Sequence, residues 1–190
     1  MSLMTRRRMM GNSERSNVWE WDYTKGLLQN NGCVILSESG AINETLTGNS
    51  LRFTGSGYRF YAPPFRYIEQ GIVEVEVLFS DVSNNQNFRV CIGNGTNGTQ
   101  IMYTLDTLRL HDNSSPINGT PLMRLSHNVK HNIKIEHNET TFNLYVDGTK
   151  IISNRTNSGT LNIDRGTFLC PQKISSGYVD LFSARVEKVR

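Results

Sequence analysis

No part of the chain approaches the roughly 18 consecutive apolar residues that a membrane-spanning helix requires. A secretory signal is missing too: the opening M-S-L-M-T-R-R-R-M-M-G-N-S is basic but has no apolar stretch of about 7 to 15 residues behind its charges. Residues 1–3 read as an expression scar, with Met4 as the natural start. The net charge of +3 owes much to Arg6, Arg7 and Arg8, and no basic stripe interleaved with aromatics follows, so neither nucleic acid nor membrane insertion is expected. Cysteine is scarce, at three residues, an odd number without the close-paired spacing of zinc or redox motifs. Cys91 in F-R-V-C-I-G and Cys170 in T-F-L-C-P lie in apolar runs and read as reduced thiols packed as small hydrophobes. A Cys91 to Cys170 disulfide stays open, because sequence does not give the Cα approach of about 4.4 to 6.8 Å that it needs. Helical periodicity is almost absent, T-K-G-L-L-Q-N-N-G being the one short candidate. There is no repeat at a period of 20 to 50 residues, no Gly-x-Ser-x-Gly nucleophile motif and no glycine-rich phosphate loop.

What the chain does have is period-2 alternation. In K-H-N-I-K-I-E-H-N-E-T-T-F-N-L-Y-V-D-G-T-K-I, Ile133 and Ile135 alternate with Lys134 and Glu136, and Phe142, Leu144 and Val146 with Asn143, Tyr145 and Asp147. This reads as three antiparallel strands, the last two joined by an Asp147-Gly148 turn that takes the positive φ angles of type I′. G-I-V-E-V-E-V-L-F, N-F-R-V-C-I-G and Q-I-M-Y-T-L add strands at sandwich spacing. W-E-W-D-Y sets Trp19, Trp21 and Tyr23 on one strand face, as core or as a sugar platform. The late run Y-V-D-L-F-S-A-R-V-E-K-V mixes its parities, which predicts a bend or bulge. Residues 1–17 are expected to be a flexible tail and residues 18–190 one all-β domain.

The order of these runs, ending in G-Y-V-D-L-F-S-A-R-V, resembles concanavalin A-like jelly rolls of the laminin G type. The resemblance implies an antiparallel two-sheet jelly-roll sandwich with ligands on a concave face or along a loop rim. The opening M-T-R-R-R-M-M with its tryptophan-rich first strand is also similar to small proteins of gut bacteria and their phages, which implies a place on a virion or cell surface.

On that basis the first expectation is a non-enzymatic, lectin-like carbohydrate-binding or adhesion module. Its partner is a glycan or a surface protein, and Tyr58, Tyr61, Tyr67 and Tyr103 are the candidate stacking residues. The alternatives are a structural or assembly component and, third, a polysaccharide hydrolase or lyase. Calcium is the one cofactor the resemblance offers, through Asp81, Asn84, Asn85 and Asn87 in S-D-V-S-N-N-Q-N, although only one of these is a carboxylate. Glycoside hydrolysis needs two carboxylates, and Glu74 and Glu76 share a strand face, but the glucanase pattern Glu-x-Asp-x-x-Glu is absent. Glu20-Trp21-Asp22 begins that pattern and meets Lys25 where the next carboxylate belongs. His127 and His131 stand four apart but in a loop entering a strand, and read as surface histidines. The many Asn-x-Ser/Thr triplets follow from an Asn-, Ser- and Thr-rich composition.

Overall fold

Alternation of apolar and polar residues builds every wall of the fold. The computed structural model describes residues 17–80, 87–94, 98–104, 106–110, 119–156 and 166–190. In chain order its strands are β1 (Val18–Asp22), β2 (Val34–Ser39), β3 (Ile42–Leu46), β4 (Leu51–Ala62), β5 (Gln70–Phe79), β6 (Asn87–Gly93) and β7 (Gly98–Thr104). They continue as β8 (Thr107–Leu110), β9 (Thr120–Arg124), β10 (Lys130–Asn138), β11 (Thr141–Val146), β12 (Thr149–Thr156) and β13 (Phe168–Lys188). The one helical candidate becomes two 3₁₀ turns, Tyr23–Lys25 and Leu28–Asn31.

All of these strands belong to one continuous antiparallel sheet, ordered β12-β11-β10-β5-β13-β6-β7-β8-β9. β1 and β4 attach to β13, and β2 and β3 to β4. The sheet curls into a nearly closed barrel, which corrects the expected two-sheet jelly-roll sandwich. The physical cause is β13. Along one edge its 21 residues pair with β6 and then, from Val179, with β5, and along the other with β4 as far as Leu181 and then with β1 from Ser183, so the hydrogen bonding never divides. Register shifts at Gln172/Ile174, Ile174/Val179 and Leu181/Ser183 let so long a strand turn from one wall to the next, the bend that its mixed parity predicts.

Inside the barrel, Val73, Val75, Val77 and Phe79 of β5 are all fully buried against Trp21, Phe53, Ile135, Leu144 and Val186. Each such side chain contributes roughly 1.5 to 3 kcal/mol of burial. Trp19 and Trp21 are core residues that donate their indole N–H groups to the carbonyls of Asn31 (2.7 Å) and Gly26 (2.9 Å). The Asp147-Gly148 turn has φ of 50° and 76°, as its sequence predicts. Arg52 and Asp180 form a two-point ion pair at 2.8 and 2.7 Å across β4 and β13, under the Tyr178 ring. The three cysteines are buried thiols outside any disulfide, and burial pushes the Cys33 thiol up to about 12. Cys91 and Cys170 pack with Phe60 and Phe168 in a small second cluster.

Candidate functional site

Because Trp19, Trp21, Val73, Val75, Ile133, Ile135, Leu144, Ala184 and Val186 point into the barrel, the residues between them face outward. Register then aligns the outward residues in rows. One row crosses five strands as Glu20, Arg185, Glu74, Lys134 and Tyr145, alternating in charge over its first four members. The next carries Asp22, Ser183, Glu76 and Asn132. Opposite charges on neighbouring strands each contribute only about 0.2 to 1 kcal/mol, enough to help pin register.

A cleft of about 270 Å³ opens where these rows meet, lined by Glu20, Trp21, Asp22, Lys25, Glu74, Asn132, Ser183 and Arg185. Arg185 donates to Glu20 (Nε to Oε1, 3.2 Å) and to Glu187 (Nη2 to Oε2, 2.5 Å). Asn132 donates to Glu74 (Nδ2 to Oε1, 2.8 Å), and its own backbone N–H is held by Asp147 at 2.8 Å. Glu20 and Glu74 therefore flank Arg185 from two strands apart, a backbone spacing of roughly 9.5 Å. Glu74 and Glu76, two apart on β5, are separated by roughly 6.7 Å along the strand. Asp22 ends β1 by capping the first 3₁₀ turn, accepting from the Thr24 N–H at 2.9 Å and from the Thr24 hydroxyl. The hydroxyl bond above all holds its carboxyl below the usual range. Lys25 turns back to donate to the Glu20 carbonyl at 2.7 Å, which accounts for a lysine where the glucanase pattern has a carboxylate.

The four tyrosines do not form a platform. Tyr61 and Tyr103 are buried, the latter stacked on Phe79 at 3.6 Å between centroids, and neither ring is available to a ligand. Tyr58 packs edge-on against Phe60, and Tyr67 is exposed beside Arg66. Asp81, Asn84 and Asn85 lie outside the described residues, as does the Asn87 side chain, and among the described residues no three His, Cys, Asp or Glu side chains gather as a metal set. His131 is buried rather than on the surface. It bonds Asp147 at 2.8 Å, and His127 separately bonds Asp106 at 2.8 Å. The carboxylates Glu20, Asp22 and Glu74, visible in the sequence as two unrelated motifs, are what the fold brings together. Asn132, Ser183 and Arg185 were not singled out: strand parity marks them as outward, but only the pairing of β13 with β1 and β5 puts them beside those carboxylates.

No protein-family model matches the chain, and no curated protein is similar to it in sequence. Solved structures do share its fold. The Crh5 transglycosylase, solved in complex with NAG, matches with a TM-score of 0.65 at 12% identity, over 92% of this chain and 85% of its own. A sialidase of Trypanosoma rangeli matches with a TM-score of 0.57 at 14% identity, over 82% of this chain and 30% of that one. A further sialidase matches with a TM-score of 0.60 at 10% identity, covering 89% of this chain and 18% of that one. The chain thus spans less than a third of the sialidases. These matches correct the laminin G-like resemblance, and they set the lectin-like, non-enzymatic expectation against a fold that a transglycosylase and sialidases share.

Proposed function

We propose that the protein is a carbohydrate-active enzyme that hydrolyses glycosidic bonds at the cleft around Arg185. The observation that carries this reading is the pair Glu20 and Glu74, held on either side of Arg185 at one open cleft on a fold shared with sugar-processing enzymes. Inverting glycosidases place their two carboxyl groups about 6.5 to 9.5 Å apart, leaving room for a water, while retaining enzymes need about 5 to 5.5 Å. Side chains from strands two apart, whose backbones stand roughly 9.5 Å from each other, suit the wider gap. Glu20, the more exposed and the one to which Arg185 donates, is assigned as the base that activates water. Glu74, held by Asn132, is assigned as the acid; it acts in its protonated form and gives that proton to the departing glycosidic oxygen. Arg185 and Asn132 position these carboxyl groups and bond sugar hydroxyls.

The test is a screen of purified protein against a polysaccharide panel, following reducing ends, with the anomer of the product read by NMR. Glu74→Gln is expected to lower kcat by about 10²- to 10⁴-fold with the fold intact by circular dichroism. Product of inverted configuration is expected. Retention would overturn the assignment of Glu20 with Glu74, and undiminished turnover in Glu74→Gln would sink the site.

A further inference from the structure

A second cleft of about 270 Å³ opens on the same outer wall and takes no part in the mechanism above. It lies toward the start of β5 and the end of β10, and its lining includes Gln70, Ile72, Glu136, Asn138, Asn143 and Val189. From Glu74 in the first cleft to Gly71 in the second is three residues of β5, roughly 10 Å of strand rise. That is farther than one pyranose ring reaches and within the span of a short oligosaccharide.

The lining has two characters. Ile72 and the exposed Val189 give an apolar floor, while amides and a carboxylate stand around it. A pyranose ring presents the same two surfaces, an apolar C–H face and a rim of hydroxyls, and sites for such ligands combine apolar contact with a few placed polar groups. Glu136 is already oriented. Its Oε2 accepts from the Tyr145 hydroxyl (2.8 Å) and Asn143 Nδ2 (3.2 Å), and its Oε1 pairs with Lys134 at 2.7 Å. Burial acts to raise its pKa, but these donors outweigh it and keep the group ionised, so the cleft holds a fixed acceptor whose charge Lys134 balances. His137 adds no charge there, because burial pushes it down to about 4. A lining without excess charge suits an uncharged sugar.

We infer that this cleft is a second sugar subsite, and that the substrate is a linear chain of neutral hexose units lying across both clefts. The inference rests on the catalytic reading of the first cleft for its direction but not for its test. That test is titration of ¹⁵N-labelled protein with neutral tetrasaccharides, gluco- and chito-tetraose, watching backbone amides. Shifts at Gln70, Asn138 and Asn143 together with Glu20 and Arg185 are expected, and Asn138→Ala/Val189→Ser, at two exposed positions, is expected to weaken tetrasaccharide binding about tenfold while a disaccharide at the first cleft binds as before. Shifts confined to the neighbourhood of Arg185, or a variant with unchanged tetrasaccharide affinity, would overturn the second subsite and leave the first standing. Shifts confined to the second cleft would support the subsite and count against the catalytic assignment. No shifts at either would overturn both.

Discussion

His137 illustrates how a single burial event on this wall reaches a solution property. It is 2% exposed on β10, and desolvation lowers its pKa from 6.5 to about 4. The unfolded chain therefore takes up a proton near pH 6.5 that the folded chain refuses until about pH 4. Stability is fully present above pH 6.5 and is lost as the pH falls from there toward 4, by roughly 2 to 3 kcal/mol. Glu136, whose pKa is lowered, works in the same direction but only below its ordinary value of 4.5. Urea titrations at pH 7 and pH 5 are expected to show the loss, and His137→Gln to flatten it; an unchanged slope in the variant would place the effect elsewhere. The same residue scale shows what sequence made legible. Glu74 and Glu76 read as outward because valines flank them, and Asp147-Gly148 read as a turn because its chemistry is local. Tyr61 and Tyr103 fit core or edge packing better than stacking, since a tyrosine at strand spacing is more often part of a core, and both are buried.

At the scale of elements, the edge of β4 depends on a glycine. Gly55 has φ of 110°, and a Cβ there would stand 2.1 Å from the Ala41 carbonyl oxygen. β2 and β3 pair in succession along that edge of β4, and the chain between them passes hard against Gly55. Gly55→Ala is expected to cost about 2 to 4 kcal/mol, because it combines backbone strain with a clash against main chain. Gly148 is the control: its φ is 76°, but an added Cβ meets nothing within 4 Å, and Gly148→Ala is expected to cost only about 1 kcal/mol. Equal losses by chemical denaturation would refute the steric account. The hairpin of β10, β11 and β12 was readable in advance because its pairings are close in sequence. The partners of β13 were not: Arg185 meets Glu20 from 165 positions away, and alternation gives a strand's faces without naming its neighbours.

For the molecule as a whole, the proposed active cleft is a composite of the two ends and the middle of the chain, with Glu20 on β1, Glu74 on β5, Asn132 on β10 and Arg185 on β13. No fragment that lacks either end of the chain can assemble it, and pairings this distant place folding in the millisecond-to-second range. β13 pairs directly with β1, β4, β5 and β6. A chain cut between β12 and β13 thus becomes a protein in two pieces: a body that ends beyond β12 and lacks its central strand, and a peptide that carries β13 to Arg190. Neither piece is expected to fold alone, but mixing them should rebuild the molecule, with the fluorescence of Trp19 and Trp21 blue-shifting as β1 docks on the added strand. The peptide would then act as an affinity label, gripped on both edges by its host, and the size of the blue shift would count the reassembled molecules.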